Sequence, residues 1–489
     1  MKENDLKTFT KNIIAFKNDL GQEFLGYQKS NMWYVKPYSY ENLKEIIIEL
    51  YYNMHKKHLL DYDGIEEVYK ILRSEIINNT KIIDLKKRTY IAEDESEVIY
   101  HLGDSDIIII NENGYKRDVQ KDIIFDNCPI QDKQVDPVDR SKADFNRIDK
   151  YLNISNLTDK LLLKVYLIVS LIENIPRWLL IITGPYGSSK STLLRIIKAL
   201  IDPTKTGLKN MSSKVEDLVL SLTQNYLCAF DNLSKISQEI SDLLCKYITE
   251  AVYGKRMLYT DFKQALFKLF GNLVINGINL VATRPDLLSR SIVINLSPIE
   301  EDKRRTERDI WREFEKDKPY ILGGMFDILS KAIKLRKSVK LTKNYRMADA
   351  TEWGIAVAIA MGVSEEEFLQ ALDINNEEVN LQAVEENSLA RTVISYMEGR
   401  ASVDLEASKL LGELVTEAIK QKIDTKTVYW TKAPNLFSRE LKVIQPNLEK
   451  LGISVEIGRS HDRRYIKISA SAHSSEEFKY ELEDSAYFN

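Results

Sequence analysis

The sequence is poor in cysteine and has no strong excess of charge. Its 489 residues include only three cysteines, Cys128, Cys228 and Cys245. They lack the spacing of a zinc site or of a disulfide framework, and their scarcity fits a reducing compartment. The formal net charge of −4 indicates no general affinity for nucleic acid. A local basic face remains compatible with such a total.

Long apolar runs are also missing. The longest, residues 161–172, contains Lys164 and is shorter than the roughly 20 residues that a membrane-spanning helix needs. Residues 1–5 lead into no apolar signal segment. With 44% hydrophobic and 29% charged residues, the composition is that of a soluble globular protein. We therefore expect a cytoplasmic protein without a membrane partner, and its length favours about three domains.

A loop with two glycines follows an apolar stretch in the middle of the chain. Residues 179–182 predict a buried strand, and residues 190–200 have helical periodicity. Strand, loop, Lys-Ser and helix follow each other as in a phosphate-binding loop, where backbone N–H groups hold phosphates and the serine binds Mg²⁺. Ser189 stands where the strict pattern has its last glycine. The predicted ATP-binding residues are Gly184, Pro185, Tyr186, Gly187, Ser188, Ser189, Lys190, Ser191 and Thr192.

Two further apolar stretches end on polar side chains. Residues 226–230 lead into Asp231 and Asn232, roughly 40 residues after the loop, as a Mg²⁺-holding strand would. We predict that Asp231 and Ser191 hold the metal ion. Residues 273–275 lead into Asn276, whose amide could orient a water molecule or sense a γ-phosphate. Asn279 is a competing candidate for that role.

Changes of periodicity divide the rest of the chain. We expect one long helix over residues 149–175 and another over residues 238–252. The metal-ligand pairs His55/His58 and Asp61/Asp63 are better explained as a solvated helix face and a turn. The predicted units are a helical region (1–80), a small β-rich unit with a linker (81–140), an ATPase core (141–300), a helical lid with connecting helices (301–398), a winged-helix domain (399–470) and an acidic tail (471–489).

Two basic segments are candidates for DNA binding. A hairpin over residues 255–269 carries Lys255, Arg256 and Lys263, although an ordinary hairpin with solvated charges explains them as well. Near the C-terminus, helices precede a hairpin with a basic tip, which indicates a winged helix. A winged helix that contacts only proteins is the alternative. The residues expected to face phosphates are Lys432, Arg439, Lys442, Arg459, Arg463 and Arg464.

The order of these motifs resembles that in AAA+ ATPases of phages, plasmids and integrated elements. The loop, Asp231-Asn232, the basic hairpin before Asn276, residues 284–290 and residues 346–354 follow one another as in superfamily 3 and MCM-like helicases, which are often fused to a primase. The resemblance covers about residues 150–360 and extends to the winged helix. Residues 1–140 resemble the linking region of such proteins only weakly, and no primase centre is recognisable.

This resemblance implies an α/β fold: an AAA+ P-loop NTPase core with a parallel sheet flanked by helices, a small helical lid, an N-terminal α+β region and a C-terminal winged helix. It also implies a ring, expected to be a hexamer, with ATP between subunits. Arg290 would be an arginine finger that reaches a neighbour's ATP, with Arg284 as second choice. Arg346 would be a sensor on the lid. The basic hairpin would hold single-stranded DNA in the pore, and the winged helix would hold duplex DNA.

The expected function is therefore an ATP-dependent DNA helicase or translocase for replication of a mobile element or virus, with a primase as a possible partner. Two alternatives remain: an ATP-dependent origin-binding initiator without strong unwinding, and a nucleotide-switched protein-interaction module. Asn232 stands where many AAA+ enzymes carry a catalytic glutamate. Because an amide cannot take a proton from water, the general base stays open.

Overall fold

The N-terminal unit combines helices with a small sheet. The computed structural model describes residues 3–470 except 30–31, 60–61, 63, 79–81, 104, 120–122, 127, 257–263, 283, 424, 426–429, 431–432 and 461–462. Asp61, Asp63, Lys263, Lys432 and the acidic tail lie outside this part. The first elements are α1 (Glu3–Asn12), β1 (Ile13–Lys17), β2 (Glu23–Lys29), β3 (Met32–Pro37), α2 (Tyr40–His55) and α3 (Ile65–Asn78).

The prediction of a purely helical region over residues 1–80 was wrong for its first half. Strands β1, β2 and β3 form an antiparallel sheet, and α2 and α3 pack beside it. The strands are only five to seven residues long, too short for their alternation to stand out. Gly26 allows their close packing, since a Cβ there would lie 2.9 Å from Ile14 Cγ1.

A second antiparallel sheet follows where strands and turns were expected. It contains β4 (Thr89–Ile91), β5 (Glu97–His101), β6 (Asp106–Asn111) and β7 (Gly114–Val119), in that order. The polar stretch after it, predicted as a linker, is irregular but packed against the rest of the chain. Gln134 is buried, and its amide donates to Ala199 O and Leu200 O, both at 3.0 Å.

A parallel sheet forms the centre of the molecule. Its elements are α4 (Leu157–Val169), β8 (Leu179–Thr183), α5 (Lys190–Ile201), α6 (Val215–Gln224), β9 (Leu227–Leu233), α7 (Gln238–Ile248), β10 (Ala251–Arg256), β11 (Gln264–Leu269), β12 (Asn272–Gly277), α8 (Pro285–Leu288) and β13 (Ser291–Asn295). The parallel strand order is β13-β8-β12-β9, whereas β10 and β11 form a separate antiparallel hairpin. An α/β fold with a parallel sheet is therefore confirmed, and the AAA+ assignment stays a prediction.

Two helices of the core are shorter than predicted. The expected helix over 149–175 is a 3₁₀ helix, Phe145–Tyr151, followed by α4. Asn156 starts α4 because its side chain accepts a hydrogen bond from Thr158 N at 2.9 Å, as an N-cap does. Helix α7 ends at Ile248, and Ala251 already belongs to strand β10.

The C-terminal third is mostly helical and ends in a small sheet. Its elements are α9 (Glu307–Arg336), α10 (Ala348–Ala360), α11 (Glu365–Glu385), α12 (Ser388–Met397), β14 (Ser402–Leu405), α13 (Ala407–Lys420), α14 (Pro434–Lys450), β15 (Ile453–Ser460) and β16 (Arg463–Ala470). Strand β14 was not predicted from the sequence; it joins β16 to make a sheet of order β14-β16-β15. This edge strand has four residues and none of them is fully buried, so its apolar signal is weak.

In the described residues, no helix is long and apolar enough to cross a membrane. The same part of the chain contains no group of three or more histidine, cysteine, aspartate or glutamate side chains placed to hold a metal ion. His55 and His58 therefore form no metal centre with a third such ligand there.

A buried carboxylate joins α5, β9 and the second antiparallel sheet. Asp202, fully buried at the end of α5, pairs with Lys198 at 2.8 Å and with Arg88 at 3.1 Å. Its Oδ2 also accepts from the backbone N–H groups of Tyr226 and Leu227, both at 3.1 Å. Although burial by itself raises the pKa of Asp202, the two cations and these hydrogen bonds lower it to about 2.

Removing this charge should destabilise the fold strongly. Asp202→Asn leaves the buried Arg88 and Lys198 without a counter-charge, so we expect the free energy of unfolding to fall by about 3–5 kcal/mol. Urea denaturation followed by circular dichroism measures the change.

The matched control is Asp217→Asn on the exposed side of α6, which should change stability little. The difference in the free energy of unfolding between the two variants should shrink as the pH falls from about 4 toward 2. Over this range Asp202, which the Asp217→Asn variant retains, becomes protonated and loses its stabilising contribution. Equal stability of the two variants at pH 7 would contradict this role of Asp202.

Candidate functional site

The loop after β8 has the backbone that a phosphate-binding loop requires. Gly184 and Gly187 have φ values of 146° and 76°, which a side chain disfavours. A Cβ at Gly184 would lie 2.7 Å from Leu296 O, so no larger residue fits there. Ser189 also adopts a left-handed conformation, with φ 66° and ψ 26°. The missing glycine of the sequence pattern therefore falls at a position where the backbone favours glycine.

Lys190 turns back into its own loop. Its ammonium group donates to Gly184 O at 2.6 Å and to Pro185 O at 2.7 Å. Burial lowers the pKa of Lys190, and the charge of Asp231 opposes this effect. The loop thus holds one cation at its centre, with Tyr186 exposed at its outer side.

Three polar side chains from three elements meet beside the loop. Ser191 Oγ at the start of α5 donates to Asp231 Oδ1 at 2.9 Å, and Asn276 Nδ2 donates to the same oxygen at 2.7 Å. Asp231 and Asn276 lie near the carboxyl ends of the adjacent parallel strands β9 and β12. The sequence predicted Ser191 and Asp231 as metal ligands and Asn276 as a separate candidate, and the structure brings the three side chains together.

Asn232 is held through its backbone. Its N–H donates to Asn276 Oδ1 at 2.6 Å, its φ is 58°, and its side chain is exposed. Asn276 itself is buried, so one amide fixes both Asp231 and Asn232. Asn279, the competing candidate, is exposed, whereas the buried Asn276 contacts Asp231 directly, which favours Asn276 for the role.

The donor set suits a magnesium ion. Mg²⁺ prefers oxygen ligands and is usually bound by one or two carboxylates together with water and substrate phosphates. Ser191 and Asp231 supply one hydroxyl and one carboxylate, and the described residues contain no group of three or more such acidic, histidine or cysteine side chains that could hold a metal ion. A Mg²⁺ ion that arrives with a nucleotide therefore fits this site better than a metal ion held by protein ligands alone.

Two residues near the loop escaped the sequence analysis. Asn153 Nδ2 donates to Ser188 O at 3.2 Å and so supports the loop from outside. A Cβ at Gly187 would lie 3.6 Å from Arg304 Nη2, which places that exposed guanidinium at the loop. Asn153 precedes α4 without a recognisable motif. Arg304 lies in a densely charged stretch that matches none of the motifs above.

The predicted arginine finger and sensor lie together on one carboxylate. Arg290 Nη1 donates to Asp286 O at 2.6 Å and forms an ion pair with the Asp286 side chain. Arg346 Nη2 binds the same side chain at 2.9 Å. Arg284 pairs instead with Asp242, at 3.5 Å. Although partial burial raises the pKa of Asp286, the hydrogen bond and charge of Arg290 lower it below its usual value.

This arginine pair lies at the opposite end of the sheet from the loop. Leu179 N, at the start of β8, donates to Arg290 O at 2.9 Å, whereas the loop follows the end of β8. A strand rises about 3.3 Å per residue, so the two ends of β8 are about 13 Å apart. The Arg290 backbone therefore lies about one strand length away from its own loop. Arg346, expected as a sensor on the lid, lies beside Arg290 on the same carboxylate.

The predicted pore hairpin is described only at its base. Lys255 on β10 is half-exposed and lies 3.6 Å from Glu216. Gln22 of the N-terminal unit donates to Leu266 O at 2.9 Å, so that unit contacts the hairpin. Lys263 lies outside the described residues, and of Arg256 only the backbone is described.

The basic residues of the C-terminal unit lie on one helix and one hairpin. Arg439 and Lys442 are exposed on α14, one turn apart, on the side away from the buried Phe437 and Leu441. Arg459 is exposed on β15 and is paired in register with Arg464 of β16. Arg463 and Arg464 are described by their backbone alone. The order α12-β14-α13-α14-β15-β16 is that of helices followed by a terminal hairpin.

Two family models match the chain in succession. Residues 146–377 match the actinomycete integrative conjugative element replication protein, and residues 389–480 match the AICE RepA C-terminal domain. Residues 1–145 lie outside both matches. No curated protein matches the chain. The matches support a replication protein of a mobile element.

The chain is also similar to solved structures of the C-terminal region of NrS-1. The A form apo structure of that region has 14% sequence identity, with 96% of this chain and 98% of that chain covered, at a TM-score of 0.42. A second apo structure, of residues 305–718 of NrS-1, has 13% identity, covers 96% of this chain and 100% of that chain, and has a TM-score of 0.40.

Position 189 should tolerate glycine but not a β-branched residue. A non-glycine residue in the left-handed region destabilises the folded state by about 1–2 kcal/mol. Glycine removes this strain, but it also raises the conformational entropy of the unfolded chain, and the two effects on stability oppose each other. We expect Ser189→Gly to change the free energy of unfolding by less than about 1 kcal/mol, and Ser189→Val to lower it by about 1–3 kcal/mol. Urea denaturation measures both.

Ser213 serves as the matched control, because it is an exposed loop serine without a positive φ. Ser213→Val should be nearly neutral. A Ser189→Val variant as stable as Ser213→Val would show that the loop backbone is not restricted as described.

Proposed function

We propose that this chain is an ATP-dependent DNA helicase or translocase that acts in the replication of a mobile element. The observation that carries the proposal is the meeting of Ser191, Asp231 and Asn276 beside a glycine-bearing loop with Lys190 at its centre. The family matches to replication proteins support the biological setting. We further propose that residues 141–300 form an AAA+ P-loop core.

The residues around the loop have separable tasks in this proposal. Lys190 would exchange its contacts with Gly184 O and Pro185 O for phosphate oxygens, which match its charge better. Ser191 and Asp231 would hold Mg²⁺, which supplies charge neutralisation at the phosphates when it is bound with ATP. Asn276 would keep Asp231 in place and orient a water molecule.

Proton transfer from the attacking water is the step for which the site offers the fewest suitable groups. The exposed Asn232 cannot act as a base, and Asp231 already accepts two hydrogen bonds at Oδ1. We therefore propose that positioning and electrostatic stabilisation contribute most of the rate, as phosphoryl transfer permits. Slow turnover is the expected consequence.

The site would be completed by a second copy of the chain. Arg290 and Arg346 lie at the amino end of the sheet, beyond reach of their own loop, so they can act only on a neighbour's nucleotide. A repeated head-to-tail contact of this kind closes into a ring when its rotation permits. We propose such a ring, with a hexamer as the expected size.

DNA would be held in two places. The β10–β11 hairpin carries Lys255 and, next to it on β10, Arg256. We propose that this hairpin tracks a single DNA strand in the pore. The exposed Arg439, Lys442 and Arg459 would bind duplex phosphates from the C-terminal unit. A primase is a possible partner of the assembly.

A replication initiator is the second candidate, and Asn232 favours it. An assembly that binds ATP but hydrolyses it slowly would suit a protein that marks an origin, with the C-terminal unit reading the site. A footprint on one particular sequence without unwinding of a forked duplex would support this candidate over a helicase.

Loss of Lys190 should abolish hydrolysis. We expect Lys190→Ala to lower DNA-stimulated ATPase activity by about 100-fold or more, because one charge aimed at the transition state is removed. Release of inorganic phosphate, with and without forked DNA, measures the effect.

Lys340→Ala provides the control, because this exposed lysine lies far along the chain from the loop and should leave the activity unchanged. ATPase activity that is insensitive to both DNA and Lys190→Ala would sink the proposed function. Unwinding of the forked duplex, followed by strand separation, distinguishes a helicase from the initiator.

Charge reversal on α14 should weaken duplex binding regardless of sequence. Each phosphate contact contributes about one unit to the slope of log affinity against log salt. We expect Arg439→Glu and Lys442→Glu each to lower that slope by about one unit. Fluorescence anisotropy with duplex DNA at several salt concentrations measures it.

The control for this prediction is Lys340→Glu, which makes the same charge change outside the C-terminal unit. It should leave the slope unaltered. If all three variants bind duplex DNA equally, α14 is not a DNA-binding surface, and a winged helix that contacts only protein becomes the better explanation.

A further inference from the structure

A cleft lies where the parallel-sheet core, the lid helices and the C-terminal unit meet. It has a volume of about 310 Å³, within the range of small-ligand sites. Its walls come from α8, α11 and α14, and Asn380 on α11 donates to Asn447 O on α14 at 3.3 Å. The cleft is therefore formed only while the C-terminal unit packs against the other two.

The charges of the cleft favour an anion. Arg346 and Lys450 line it, and Asp286 is the one acid among its described lining residues. Asp286 is already bound by both Arg346 and Arg290. Lys450, at the exposed end of α14, has no carboxylate partner among the described residues. The Asp286 carboxylate is thus shared by Arg290 and Arg346, while the Lys450 ammonium group has no carboxylate beside it among the described residues.

From this arrangement we infer that the cleft is an oligophosphate-binding site. Lys450 of the C-terminal unit binds the phosphates together with Arg346 and Arg290. Until phosphate arrives, the Asp286 carboxylate is the counter-ion of both arginines, and phosphate then replaces it. The source of the phosphates is the nucleotide held by the loop of an adjoining copy. This inference rests on the proposed function and extends it to the C-terminal unit.

The geometry supports a nucleotide over an isolated ion. Arginine forks bind phosphate oxygens in pairs, and Ser289 after α8 and Asn376 on α11 add hydroxyl and amide groups to the lining. Because Lys450 belongs to α14, the helix that also carries Arg439 and Lys442, an occupied cleft would fix the position of the proposed DNA-binding surface. The C-terminal unit would then respond to the nucleotide state of a neighbour.

Calorimetric titration with inorganic tripolyphosphate tests the cleft directly. The experiment uses the full chain with Lys190→Ala, so that its own loop no longer contributes. We expect one binding site per chain. Adding Lys450→Ala should weaken binding about five-fold, since an exposed charge contact contributes up to about 1 kcal/mol. Adding Asp286→Asn should tighten binding about five-fold by freeing both arginines.

Lys409→Ala, an exposed lysine on α13 away from the cleft, is the matched control and should change nothing. A merely structural Asp286 would not give tighter binding when replaced. Absence of binding in the Lys190→Ala chain, or a Lys450→Ala variant that behaves like the control, would overturn the inference. These results are independent of hydrolysis, so they differ from a failure of the proposed function.

A mixing experiment identifies the source of the phosphates. Lys190→Ala chains have an intact cleft, and Lys450→Ala chains have an intact loop. In an equal mixture about a quarter of the head-to-tail contacts pair an intact loop with an intact cleft. We expect ATPase activity to return in the mixture above the mean of the separate variants. No gain would overturn the assignment to a neighbour's nucleotide.

Discussion

The buried ion pairs of Asp202 determine how the loop helix lies against the neighbouring strand. Asp202 ends α5, and its carboxylate accepts the N–H groups of Tyr226 and Leu227, where β9 begins. Ser191 lies at the start of the same helix and Asp231 near the end of the same strand. The 2.9 Å contact between Ser191 and Asp231 therefore depends on a charge cluster at the other end of both elements. A shift of α5 along its axis would therefore break the hydrogen bonds of Asp202 at one end and the Ser191–Asp231 hydrogen bond at the other.

Burying these charges costs desolvation energy, which only full hydrogen bonding offsets. Arg88 meets this condition, because it donates to His101 O, Asp132 O and Pro203 O as well as to Asp202. The same arginine precedes β4, so it ties the second antiparallel sheet to α5. This explains why residues on β5 and β6 share one hydrophobic cluster with the helices of the core. The second antiparallel sheet is thereby part of what positions the site.

The site residues could be predicted where strand polarity and local pattern suffice. Residues 179–182 form a continuous apolar run because a parallel strand is buried on both faces, and Asp231 and Asn276 follow similar runs. Asn153 and Arg304 could not be found in this way, since their contacts with the loop depend on how distant segments pack. The strands of residues 13–37 were missed because short strands show too few alternations. The binding of Arg290 and Arg346 to one carboxylate could not be predicted either. It depends on which end of the sheet each residue lies at, and no local sequence pattern contains that information.

The chain presents two halves of a proposed site at opposite ends of one sheet. A loop at the carboxyl end and arginines at the amino end cannot meet within one copy, but they can meet in a head-to-tail contact that each copy repeats. In a free copy the arginines would otherwise be left without a counter-ion, and Asp286 supplies one. When a phosphate replaces Asp286, one anion is exchanged for another, so the arginines change partner without a large change in their own electrostatic environment. The released carboxylate is half-exposed, and water can take over its hydrogen bonds. Such an exchange is readily reversible, which is what an interface that must bind and release a nucleotide repeatedly requires.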